Sequence, residues 1–188
     1  MQYVCVWLLA LLVTGRPFPE ADVHGTATVN QKPVADAVIW LEAPGLPHAG
    51  RPKVVLDQRN LSFYPRVLVV QVGTTVEFPN HDRVFHDVFS FRDGKQFELG
   101  LYPVGAVKQV PFDRPGLSRV FCNIHPGMAA YIMVVDSPYF GVTDRDGQFK
   151  LSGAPSGTFT YHAWRPGGTI LSGSATLHAG GVLDVQWP

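Results

Sequence analysis

The chain of 188 residues is short of several things, and each shortage narrows what it can be. It has only two cysteines, and one of them, Cys5, lies in an apolar N-terminal run. With that segment removed, Cys122 stands alone and no intramolecular disulfide can form. Lysine and arginine number 15, as do aspartate and glutamate, so the formal net charge is zero. A chain without a basic surplus has no electrostatic footprint for nucleic acid or for an anionic membrane. Long hydrophobic stretches are also missing: the run over residues 3–13 is too short to span a bilayer. No Ser-His-Asp signature and no glycine-rich phosphate loop stands out, and no enzymatic activity is expected. Helical periodicity is scarce, whereas 19 glycines and 16 prolines supply turns, which points to an all-β class.

The N-terminal run has the length of a signal-peptide core, and Val13-Thr14-Gly15 offers a small-residue cleavage site. Residues 1–22 are therefore expected to be a signal peptide or N-terminal export segment, cleaved after Gly15. No lysine or arginine precedes the run; a misassigned start or a retained anchor would leave the same pattern. The mature protein is expected to be periplasmic or secreted, with no membrane span once the signal is gone. An unpaired cysteine in an exported protein is a liability unless something occupies it.

What is present centres on Phe121-Cys122-Asn123-Ile124-His125-Pro126-Gly127-Met128. Strand-like sequence leads into this loop and leaves it through Tyr131-Ile132-Met133-Val134-Val135. A lone cysteine or methionine is ordinarily core filler, and a lone histidine on a strand is ordinarily a hydrogen-bonded neutral imidazole. Together, a thiolate, an imidazole and a thioether are ligands of a blue-copper site, which needs one more histidine. His86, in the strand-like Val84-Phe85-His86-Asp87-Val88-Phe89, is the candidate. A Cys/His set also suits zinc in general, but Met128 favours copper. His81 reads as a solvated turn histidine, His162 as structural, and His24, His48 and His178 show no metal spacing.

Cys122-x-x-His125-x-x-Met128 resembles the short ligand loop of the amicyanin and plastocyanin-like cupredoxins. The stretch from Gly73 through Thr75, Val76, Phe78, Asn80 and His86 to Val88 is similar to their segment bearing the first histidine. The whole chain most resembles the bacterial proteins of the methylamine-utilisation type. The resemblance implies a Greek-key sandwich binding one type 1 copper through His86, Cys122, His125 and Met128. Those relatives have an asparagine after the first histidine, bridging to the cysteine loop. Asp87 stands there instead, so the bridge is expected with roles exchanged, Asn123 donating to Asp87.

The flanks differ in character. Thr143-Asp144 through Gly147 to Phe149, with Pro155 to Phe159, resembles the second half of a carboxypeptidase-regulatory-like (transthyretin-like) β-sandwich. Gly25 to Pro33-Val34 and Ala37-Val38-Ile39-Trp40-Leu41 is similar to its first half. Residues 23–45 are thus expected to be N-terminal strands of this second sandwich. Residues 53–136 are expected to form the copper-binding cupredoxin, and residues 137–188 the rest of the second sandwich, with the cupredoxin inserted between its halves. The alternative is that the N-terminal strands extend the cupredoxin and the tail packs alone.

The resulting expectation is an exported type 1 copper protein carrying single electrons between a transient redox-protein donor and acceptor. A module that binds or transfers copper without redox turnover is the second class. A metal-free adhesion or polysaccharide-binding sandwich, stacking sugars on Trp40, Trp164 and Trp187, is the third. Multicopper oxidases and copper nitrite reductases need further ligands, typically His-x-His, and a binuclear centre needs a second cysteine in the loop; the sequence has neither.

Overall fold

The computed structural model describes residues 21–43, 53–91 and 93–188. Almost all of the expected export segment lies outside the described residues, as do Cys5 and residues 44–52, a stretch with three prolines and His48 whose composition is that of a loop or linker.

Among the described residues, alternating and continuous apolar runs become 18 short strands. The N-terminal part forms β1 (Ala21–Val29), β2 (Lys32–Pro33) and β3 (Val38–Leu41). The middle begins with β4 (Lys53–Val55), β5 (Asp57–Arg59), β6 (Ser62–Tyr64), β7 (Val67–Gln71) and β8 (Thr74–Pro79). It continues through β9 (His86–Ser90), β10 (Phe97–Tyr102), β11 (Val107–Phe112), β12 (Gly116–Cys122) and β13 (Ala129–Val135). The tail supplies β14 (Phe140–Val142), β15 (Gln148–Ala154), β16 (Gly157–Trp164), β17 (Leu171–Leu177) and β18 (Val185–Trp187). The expected all-β class is the one the chain adopts.

The middle strands make two sheets, β10-β9-β12-β13-β7 and β11-β8-β4, with the hairpin β5–β6 beside them. Phe78, Phe112, Ile132, Leu56 and Val88 fill the space between. The flanking strands make two others, β15-β1-β18 and β14-β3-β16-β17, around Ile39, Leu41, Leu151 and Leu177. N-terminal and tail residues therefore share sheets: Val38 pairs with Trp164, and Trp40 with both His162 and Phe140.

Strand periodicity explains why some runs are apolar on both faces. Along β13, Ala130, Ile132 and Val134 enter the middle core, while Met133 and Val135 enter a third cluster with Val38, Val67 and Trp164. Likewise Ile39 and Leu41 of β3 face the flanking core, and Val38 faces the third cluster. Side chains alternate across a strand, so a strand covered on both sides loses its polar face. The third cluster is the seam where the two sandwiches meet.

Gly25 illustrates how closely the flanking sandwich is closed. A Cβ there would lie 1.8 Å from the Leu183 carbonyl oxygen and 2.6 Å from Phe149 Cζ. Leu183 N–H donates to the His24 carbonyl, so the offending oxygen belongs to a chain already hydrogen-bonded in place. Gly25→Ala is expected to cost about 3 kcal/mol, the upper range for inserting atoms into a packed core. A urea midpoint shifted clearly downward checks this; an unshifted one contradicts it.

Three local features are not evident from the sequence. Arg114-Pro115-Gly116-Leu117 has the composition of a type II turn, yet Gly116 has φ 142° and opens β12. That φ lies well beyond the roughly +80° of the turn's third position. Its α-hydrogen side faces Gly94, whose Cα would be 3.3 Å from an added Cβ. The β5–β6 hairpin turns at Asn60 and Leu61, with φ of 52° and 54°. Two positive φ angles mark a primed turn, but leucine at the second site hides it from sequence inspection. Strand β14 follows Ser137-Pro138 and carries no pattern of its own; pairing with β3 creates it.

Candidate metal centre

Two strands and one loop build the centre. His86 opens β9, which pairs with β10 through His86 and Tyr102 and with β12 through Val88 and Cys122. Cys122 ends β12, and β13 starts at Ala129, so residues 123–128 must reverse the chain. The loop closes on itself: Cys122 N–H donates to the Met128 carbonyl at 3.2 Å, and Met128 N–H to the His125 carbonyl at 3.2 Å. Gly127, at φ 89°, supplies the left-handed residue this path needs. Asn123 N–H donates to the Asp87 carbonyl at 2.8 Å, which ties the loop to β9.

Three donor atoms converge as a result. His86 Nδ1 lies 3.6 Å from Cys122 Sγ, His125 Nδ1 lies 3.5 Å from the same sulfur, and the two Nδ1 atoms are 3.1 Å apart. The imidazoles meet edge to face, at 68°. A point equidistant from all three donors in their plane lies about 2 Å from each, close to the roughly 2.0–2.3 Å of zinc–nitrogen and zinc–sulfur bonds and so sized for a first-row metal ion. The residues present thus fit a metal. Among the described residues this is the one such cluster of His, Cys and acidic groups. Met128 is buried in the core that also holds Cys122. His86 is wholly buried, whereas His125 is half-buried and flanked by exposed Ile124 and Pro126.

A network behind His86 selects its tautomer. Its Nε2 lies 3.3 Å from Asp82 Oδ2. Asp82 accepts from Leu61 N–H at 2.7 Å and Arg83 N–H at 2.9 Å, and its own N–H donates to Asn80 Oδ1. Asn80 is fully buried and donates through Nδ2 to the Val84 and Tyr102 carbonyls. Gln58, also fully buried, donates to the Pro79 carbonyl and to the Tyr102 hydroxyl. The Leu61 N–H, foremost, holds the Asp82 carboxyl below its usual range. Burial pushes the His86 imidazole down, against the opposing pull of Asp82. His86 is therefore neutral at pH 7, its proton on Nε2 toward Asp82 and its Nδ1 lone pair toward Cys122. Burial drives the Tyr102 phenol above its ordinary range, so it stays an uncharged hydroxyl.

The exchanged bridge is present: Asn123 Nδ2 donates to Asp87 Oδ2 at 3.2 Å. Nothing in the sequence marks Gln58 or Tyr102, and Asp82 is signalled only by its place four residues before His86. His81 turns away, with Nδ1 2.8 Å from Asp57 Oδ1 and its side chain 64% exposed. His81→Ala is expected to leave metal affinity within about twofold of the parent, the small effect usual for an exposed ion pair; a tenfold loss in a competition titration would contradict this. His162 bonds Ser172 Oγ at 2.7 Å and lies tilted against the Trp40 ring. Trp164 and Trp187 are 4% and 6% exposed, so neither offers a free face for stacking sugars.

No family model and no curated protein matches the chain. Solved structures do. A purple cupredoxin from Nitrosopumilus maritimus is 25% identical, with a TM-score of 0.39, over 44% of this chain and 98% of that one. The copper-containing nitrite reductase of Thermus scotoductus SA-01 is 26% identical, with a TM-score of 0.43, over 58% of this chain and 28% of the reductase. Amicyanin from Paracoccus versutus is 19% identical, with a TM-score of 0.40, over 52% of this chain and 97% of that one.

Proposed function

We propose that the chain is an exported type 1 copper protein that carries single electrons between redox partners. The observation that carries this reading is the convergence of two Nδ1 atoms and one Sγ at 3.1–3.6 Å, with one of the histidines reaching the surface. His86, Cys122 and His125 would be the strong ligands and Met128 a weak fourth one. Bound copper would supply the Cu(I)/Cu(II) couple.

The chain's own residues do the rest. The Asp82 network holds His86 in one tautomer and orientation before any metal arrives. The closed loop fixes the thiol and His125 relative to each other, and a rigid donor set limits rearrangement between oxidation states. Half-buried His125 is the exit for the electron. Ile124, Pro126, Gly127 and Ala129 are exposed around it and make a small apolar face, which suits a transient contact better than a permanent one.

The division of the chain belongs to the same proposal: residues 53–136 carry the copper site, inserted into a second sandwich made by residues 23–45 and 137–188. The shared sheets of β3 with β14 and β16, and of β1 with β15, support it.

Titration of the purified mature chain with Cu(II) tests the function. The expected result is an intense blue thiolate-to-copper band saturating at one copper per chain, with narrow EPR hyperfine splitting. Weak type 2 binding without colour would overturn it. Reversible one-electron cycling then separates a carrier from a module that only hands copper on.

A further inference from the structure

A second site lies away from the metal centre, where the two sandwiches meet. The seam opens into a cleft of about 790 Å³, within the ~300–1,000 Å³ of small-molecule sites, which favour such junctions. Its walls are apolar and come from both sandwiches: Trp40, Trp164 and Ile170 from one, Leu117 and Met133 from the other. Trp40 is half-buried, its ring tilted 32° against His162 with centroids 5.1 Å apart. Ile170 is 55% exposed, a large apolar side chain left in water at the mouth.

The polar groups of the cleft are one-sided. Glu42, Asp93 and Asp136 are carboxylates, and among the described lining residues Arg119 is the one cation. Arg119 is already paired, its Nε 3.5 Å from Asp93 Oδ2. Glu42 meets His162 Nε2 only at 3.7 Å, and Asp136 is exposed. An apolar slot holding an indole, edged by exposed Asp136 and by Glu42, whose contact with His162 is long, is complementary to a cation with an apolar or aromatic body. It repels an anion of the same shape.

We propose that this inter-sandwich cleft, walled by Trp40, Leu117, Met133, Trp164 and Ile170 and edged by Glu42 and Asp136, binds an aromatic organic cation. The site is independent of the copper reading and stands whether or not the chain takes up metal. It does share β12 with the centre: Arg119 precedes Cys122 by three residues, about 10 Å along a strand.

The test uses the full mature chain, labelled with nitrogen-15, and benzyltrimethylammonium as probe. The expected result is saturable movement of the Trp40 indole N–H signal. Benzyl alcohol and benzoate, which keep the aromatic ring but are smaller and neutral or anionic, should bind at least about fivefold more weakly, since they lack the cation–π and carboxylate attractions. Glu42→Gln with Asp136→Asn, both at exposed positions, should weaken the cation by a similar factor and leave benzyl alcohol unchanged. Trp40→Phe identifies the reporter signal. Equal binding of cation and alcohol would overturn the assignment, as would absence of saturation at millimolar probe. Concentration-dependent dimerisation abolished by Trp40→Phe would also overturn it, because a second copy would then be the occupant.

Discussion

Cys122→Ala is expected to abolish the blue band completely while leaving the apo fold intact. The intense absorption of a type 1 centre arises from a thiolate donating to copper, and the described chain has no other thiol to replace Cys122. His86 and His125 remain, so copper still binds, weakly and without colour. The side chain is small and buried, at 7% exposed. Its truncation removes one sulfur atom from a core that keeps Ile132, Phe112 and Phe78, and the apo protein should lose only about 1 kcal/mol. Urea denaturation of metal-free protein and the visible spectrum of copper-loaded protein separate the two effects. An intense band surviving in the variant would mean that the thiolate is not a ligand. Collapse of the apo fold would mean that Cys122 matters chiefly for packing.

The second large effect is expected at a residue that would not touch the metal. Asp82→Ala leaves the His86 Nε2–H without its acceptor and frees the Leu61 and Arg83 N–H groups. His86 is then free to rotate or to shift its proton to Nδ1, where it would block ligation. Copper affinity should fall about 10- to 100-fold, the usual cost of losing the group that orients a ligand histidine. Apo stability should fall by about 1–2 kcal/mol through the unpaired N–H groups. A chelator competition titration measures the first and urea denaturation the second. A purely structural role would lower stability alone. A positioning role must also move the EPR parameters or the band of protein saturated with copper. Asp57→Ala, which removes the partner of His81 and the acceptor of the Gln58 N–H instead, can lower stability but should leave the EPR parameters and the band unmoved.

These two residues differ in how visible they are in the sequence. Cys122, His125 and Met128 lie within seven positions, and a loop that short brings its members together whatever the rest of the chain does. Asp82 sits among ordinary turn residues, and nothing nearby says that its carboxylate accepts from a hairpin some twenty residues earlier. That hairpin is itself obscure, because Leu61 occupies a left-handed position usually given to glycine. The same contrast separates the histidines. His81 and His86 are both preceded and followed by polar or aromatic residues. Only the pairing of β9 with β12 turns His86 toward Cys122, while the turn before it directs His81 to Asp57.

The sequence by itself determined the all-β class, most strand positions and the Cys-His-Met loop. These depend on alternation, turn chemistry and spacing, all of which act over a few residues. Tertiary structure alone decided which strands are covered on both faces. The apolar runs Val67-Leu68-Val69-Val70 and Tyr131-Ile132-Met133-Val134-Val135 are read only as buried, and it takes the second sandwich to explain the outer half of each. Tertiary structure also decided that β3 pairs with β16, that Asp82 stands behind His86, and that a cleft with an acidic edge opens at the seam. The physical reason is common to all three. Each is a meeting of segments far apart in the chain, and a side chain's chemistry states what partner it can accept without stating which partner the fold will bring.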